Sequence, residues 1–151
     1  MTLEQALQDQ HISYRKTRHR SCFTAPELAA AVHVSGYHIA KPVIVKSDSG
    51  YTMCVLTACD QVELSRVADV LGEAKVQMAT ENEMRQLFPD CEVGAEPPIG
   101  DLFGMRTIVD ERLHKDEQII MQAGTHRDAI ELRRADWERL CRATVAKISR
   151  N

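Results

Sequence analysis

Hydrophobic positions along the chain fall in short blocks whose spacing switches between helical and alternating. Thr2 and Gln5 stand at capping-box spacing, which predicts a short helix over residues 3–10, and a strand is predicted from Ile12 to Arg18. In FTAPELAAAV, Thr24 is placed to cap, Pro26 falls in the first turn and Glu27 takes the reciprocal position, so a helix should run until just before Ser35-Gly36. HIAKPVIVK (38–46) and YTMCVLT (51–57), joined by Ser47-Asp48-Ser49-Gly50, read as a β-hairpin with a short polar turn. Asp60 and Glu63 repeat the capping spacing and predict a helix through Leu71-Gly72, with Val62, Val67, Val70 and Leu71 as its apolar stripe. A short strand over Lys75 to Met78 leads to Thr80 with Glu83, and to a helix ending at Phe88-Pro89.

The periodicity then lapses. CEVGAEPPIGDLFG (91–104) concentrates glycine and proline, which makes a shaped loop fixed by its prolines and open to close approach at its glycines. Strands are predicted at Arg106 to Val109, Gln118 to Gln122 and Ala129 to Leu132, the last two joined by the turn Ala123-Gly124-Thr125-His126. Residues 135–148 are expected to form a terminal helix burying Trp137, Leu140, Val145 and Ile148. This order predicts an α/β chain of the α+β type: a mixed, mostly antiparallel sheet or partial barrel of about six strands, with helices packed outside it. No repeat, linker or low-complexity tract divides residues 1–151, which are read as one domain. There is no GxGxxG after a strand, no P-loop, no GxSxG and no HExxH.

Composition, at 44% hydrophobic and 27% charged, fits an ordinary globular protein. The opening MTLEQALQDQ has neither a basic nor an apolar leader region, and no apolar stretch approaches bilayer length, so no membrane partner is expected. Five cysteines, Cys22, Cys54, Cys59, Cys91 and Cys141, are odd in number and lack CxxC spacing, which argues against a disulfide framework or structural zinc and for a cytoplasmic setting. His19, His38 and His126 have no coordination spacing, so neither metal nor cofactor is expected. A net charge of −3 does not advertise nucleic acid, yet YRKTRHR gathers Arg15, Lys16, Arg18 and Arg20. These four are candidate phosphate contacts; the alternative is a solvated face. No heptad seam stands out, and a monomer is the default.

One residue breaks the hydrophobic logic of its strand. Alternation puts Lys41 on a face with Ile39, Val43 and Val45. A lysine so placed snorkels to water, finds an anion or is used for chemistry. Pro42 follows it without an N–H for a ladder, so this part of the sheet should be an edge, a bulge or an irregular start.

AKPVIVK, CEVGAEPPIG and AGTHRDAIEL, in this order and at these separations, resemble the YbaK and prolyl-tRNA synthetase-associated editing domains, which are aminoacyl-tRNA deacylases. The likeness runs from FTAPELA to the region of Ile148. It implies that Lys41 is the active-site lysine and that Gly94, Ala95, Glu96, Pro97 and Pro98 are the GxxxP substrate loop. It also implies that Gly124, Thr125 and His126 are the GTH turn beside the substrate. For His126 a pocket wall is favoured over a general base, with a locally bonded turn residue as the plain alternative; Thr125 equally could only satisfy its own turn. Two departures stand out: Pro42 replaces a hydroxyl residue common in relatives, and Glu96 replaces a small or apolar one. The Glu96 carboxylate could meet a substrate ammonium or point to solvent.

The implied substrate is an aminoacyl ester on the terminal ribose of tRNA, by family analogy the alanyl or cysteinyl ester of tRNA for proline. Its carbonyl gains negative charge on attack, and a lysine can stabilise that charge or anchor a phosphate. No residue is an evident protein nucleophile, which leaves water or a substrate group to attack. A partner synthetase could help select the tRNA. Two further readings stay open: a non-catalytic module that binds a tRNA end or a synthetase, and a protein whose cleft holds a small carboxylate or phosphate.

Overall fold

The computed structural model describes residues 2–20, 22 and 24–150. In chain order the elements are α1 (Leu3–Asp9), β1 (Tyr14–Arg18), α2 (Ala25–Ala31), β2 (Ala40–Ser47), β3 (Gly50–Thr57), α3 (Leu64–Leu71), β4 (Gln77–Met78) and α4 (Glu81–Leu87). They continue with β5 (Arg106–Asp110), β6 (Gln118–Gln122), β7 (Asp128–Arg133), α5 (Arg134–Cys141) and β8 (Thr144–Ala146), with short 3-10 turns at Gly36–His38, Gly100–Phe103 and Leu113–Lys115.

The strands form two sheets, one in the order β1-β7-β6 and one in the order β4-β2-β3-β5-β8. Most pairings are antiparallel, while β3–β5 and β5–β8 are parallel. Among the described residues the sheets do not close into a barrel, and a parallel bridge between Ile39 and Ile120 joins them. Between them lies the main core, built from Leu3 and Leu7 of α1, Ile44, Met53 and Val55 of the larger sheet, Met121 and Ile130 of the smaller, and Trp137 of α5. The opposite face of the larger sheet buries Val45, Cys54, Leu56 and Ile108 under Val67 of α3. A third cluster seats Leu28 and Ala29 of α2 over the junction at Ile39 and Ile120.

Locally encoded features form as predicted. Full capping boxes open α1 at Thr2/Gln5 and α4 at Thr80/Glu83, and Thr24 accepts the Glu27 N–H at the start of α2. The β2–β3 hairpin closes at Ser47 opposite Gly50. Two expectations are corrected. Asp60 does not cap a helix: α3 begins at Leu64 with Glu63 as an N-cap whose side chain makes no capping hydrogen bond, because the Asp60 carboxylate is buried against Thr57 and Arg112 instead. The terminal helix stops at Cys141, not 148, where Arg142 turns left-handed at φ 49°. The β-branched residues beyond it then join the free edge of β5 as β8, leaving Val145 exposed while Ile148 is buried.

Candidate functional site

Among the described residues the early part of β2 pairs with a strand on one side only. Pro42 lies opposite Val55 of β3, whereas β4 reaches only Val45 and Lys46. A residue without an N–H is tolerated at such an open margin. Here a cleft of about 320 Å³ opens. Ala40, Lys41 and Pro42 line it from β2, Ala79, Glu81 and Met84 from the start of α4, Val93, Gly94 and Glu96 from the Gly/Pro loop, Ala25 and Leu28 from α2, and Ile39 and Gln122 from the sheet junction. The parallel bridge at Ile39 and Ile120 explains why Lys41 and Gln122 share this wall: each lies two residues beyond a bridged residue, on the same side of its strand.

Lys41 is half-buried, and its Nζ donates to the Asp60 carbonyl at 2.5 Å. Burial lowers its pKa from the ordinary lysine value, opposed by the nearby charge of Asp60 and by Cys59. The Asp60 carboxylate is itself held, by Thr57 Oγ1 at 2.7 Å and Arg112 Nη1 at 2.8 Å, and the Arg112 guanidinium stacks 4.9 Å from the centre of the Tyr37 ring. The lysine thus stands on a braced support. Asp60 and Arg112 had no sequence signal for this role beyond Asp60's misleading cap spacing.

The GxxxP loop and the GTH turn hold each other. Gly124 N–H donates to the Ala95 carbonyl at 2.8 Å, and Glu92 N–H donates to the Gly124 carbonyl at 2.9 Å. Gly94 (φ 88°) and Gly124 (φ 94°) adopt the left-handed side of backbone space that these close turns require. The His126 N–H adds a bond to Glu92 Oε1 at 2.9 Å. Further along, the buried Trp137 indole donates to the Pro98 carbonyl at 2.9 Å, which fixes the loop to α5. Ala95, Pro97 and Pro98 are buried, so the loop offers mainly Gly94 and Glu96 to the cleft.

The GTH side chains point elsewhere. His126 is buried, and its Nδ1 donates to the Cys22 carbonyl at 2.7 Å, the same oxygen that accepts from Gln122 Nε2 at 3.0 Å. His126 therefore braces the segment at Cys22 and, through the shared acceptor, the cleft-lining Gln122. Thr125 Oγ1 donates to Asp128 and accepts from the Arg127 and Asp128 amides, satisfying its own turn. Gly124 and Thr125 line a separate hollow of about 380 Å³ together with Pro97 and Phe103. Gln122 had no prior signal: a lone glutamine at a strand end is unremarkable until the bridge places it.

Arg15, Lys16 and Arg18 lie on β1, an edge strand of the smaller sheet, and Arg20 just beyond it. Arg15 pairs with Glu131 at 3.3 Å and Lys16 with Glu4 at 2.7 Å, while the exposed Arg18 and Arg20 have no side-chain ion pair among the described residues. Arg15, Arg18 and Arg20 border a hollow of about 500 Å³ reaching the C-terminal end of α2. The opposite end of the same helix borders the lysine cleft. Among the described residues no cluster of His, Cys, Asp and Glu is placed to hold a metal ion, and no helix is long and apolar enough to cross a membrane.

The sequence profile of the aminoacyl-tRNA editing domain matches residues 19–140, a span that includes the cleft, its loop and the GTH turn. The chain belongs to that family. Solved structures share the editing-domain fold. One, of a protein proposed as a trans-editing enzyme for prolyl tRNA synthetase, superimposes with a TM-score of 0.84 at 22% identity, over 99% of this chain and 95% of that one. The hypothetical protein APE2540 gives a TM-score of 0.89 at 22% identity, over 97% and 98% of the two chains. A longer Marinobacter aquaeolei VT8 protein, proposed to act in signal transduction, contains the same fold in 30% of its chain, with a TM-score of 0.75 and 20% identity over 99% of this one. No curated protein matches the sequence.

Proposed function

We propose that this editing-domain chain is a free-standing aminoacyl-tRNA deacylase, which removes a small amino acid from a mischarged tRNA, with the alanyl or cysteinyl ester of tRNA for proline as the leading substrates. The observation that carries the reading is the convergence of Lys41, Gly94 and Glu96 in one cleft, in a chain of this family. A cleft of about 320 Å³ is at the small end of ligand pockets and suits a short side chain.

Among the described residues lining the cleft there is no serine, threonine, cysteine or histidine. The attacking oxygen is accordingly that of water, or the attacker belongs to the substrate. In the water route the oxygen adds to the ester carbonyl, the tetrahedral oxyanion collapses, and the ribose oxygen leaves with a proton. Lys41 has donors to spare beyond its bond to Asp60 and stabilises the oxyanion or the adjacent phosphate. Arg18 and Arg20 receive the tRNA backbone on the far side of α2, and a synthetase partner can add selectivity.

The test is amino-acid release from a panel of mischarged tRNAs, with spontaneous hydrolysis subtracted. The wild type should deacylate at least one ester, and Lys41→Ala should lose about 10²–10³-fold in rate. If no ester is hydrolysed above background while tRNA binds, the chain is a binding module.

A further inference from the structure

Glu96 is a buried carboxylate that shares the cleft with Lys41 but forms no ion pair with it. It is 4% exposed and lines the cleft, and its Oε1 accepts the Gly94 N–H at 3.1 Å. Among the described residues no lysine, arginine or histidine forms an ion pair with it, since the Lys41 amine is turned to the Asp60 carbonyl. The second oxygen of Glu96 is not among the buried unpartnered atoms, so the carboxylate keeps an accessible oxygen in a residue that lines the cleft. One backbone N–H leaves most of its acceptor capacity free for a ligand there.

We propose that Glu96 is the binding group for a primary ammonium on the ligand, the α-ammonium of an aminoacyl ester. The inference rests on the deacylase reading for the identity of the ester, but the ammonium subsite is defined by the carboxylate itself. Lys41 and Glu96 then divide the substrate between them, the cation serving the carbonyl or phosphate end and the carboxylate serving the amine. An acyl group with a blocked or missing amine loses the second contact, so the cleft discriminates against N-acylated and α-hydroxy acyl esters.

The test needs no turnover. Non-hydrolysable 3′-alanylamino-3′-deoxyadenosine and its α-hydroxy counterpart, in which the amine is replaced by hydroxyl, are titrated against the wild type and Glu96→Gln. The wild type should bind the amine compound about 10–100-fold more tightly, as expected of a charge-assisted hydrogen bond. Glu96→Gln keeps an oxygen for the Gly94 N–H and should erase that preference while leaving the hydroxy compound unchanged. No preference in the wild type, failure of the amine compound to bind, or equal weakening of both by Glu96→Gln overturns the subsite. If Glu96→Gln does not fold, Glu96→Asp takes its place, and an unchanged preference in that variant together with its loss in Glu81→Gln, the other carboxylate on the cleft, overturns the assignment to Glu96. Hydrolysis of alanyl-tRNA by the wild type is scored separately, so loss of the deacylase reading and loss of the ammonium subsite give different results.

Discussion

At the scale of single residues, Lys41 shows how burial sets chemistry. Its lowered pKa comes first from lost hydration, and the sign follows: between the folded value and the ordinary 10.5 the unfolded chain holds the proton more often, so stability rises with pH across that window. Function runs the other way if the ammonium is the working form. Reductively ¹³C-methylated protein should show one lysine resonance titrating below 10.5 that is missing in Lys41→Arg, and deacylation should fall through the same pH. A resonance titrating at the ordinary value would contradict the burial argument. Beneath the lysine, Asp60 is the more brittle residue, its side chain 1% exposed and paired with an arginine that is 35% exposed. Asp60→Ala strands Arg112 and frees Thr57, and should lower stability by about 3 kcal/mol in urea unfolding.

At the scale of elements, the site depends on a loop with no regular structure that is tied down at both ends. The Gly/Pro loop bonds to the turn between β6 and β7 at Gly124 and to α5 at Trp137. Trp137→Phe keeps most of the packing but leaves the buried Pro98 carbonyl without its donor, and should cost about 1–3 kcal/mol. It should also raise KM for the ester at temperatures where the variant remains folded, which steady-state kinetics would show. Helix starts and hairpins were legible in the sequence because each is written in adjacent residues: Thr80 with Glu83, or the turn closing at Gly50. Asp60 and β8 were not, because a distant partner decides each: Arg112, 52 residues on, for Asp60, and β5 for β8. Arg112 and Thr57 compete for the carboxylate that could have capped α3, and the unfilled edge of β5 captures Thr144–Ala146.

At the scale of the molecule, a net charge of −3 conceals a local cationic edge. Arg15 and Lys16 are already engaged with Glu131 and Glu4, so Arg18 and Arg20 should dominate the salt dependence of tRNA binding. Each substitution, Arg18→Ala or Arg20→Ala, should reduce the slope of log affinity against log salt by about 0.7–0.9, with a smaller change for Lys16→Ala. Equal effects at all four cations would mean that the ion pairs open on binding. Lys41 and the Gly/Pro loop were visible in the sequence as separate motifs, but which residues share a cleft was not, since the bridge between Ile39 and Ile120 brings Lys41 beside Gln122. The bridge also fixes distance. Lys41 and Gln122 each stand two strand residues from it, above a core shared by both sheets, so their separation is set by backbone rather than by rotamers. A larger residue at either position would shorten the space between them instead of pushing the strands apart.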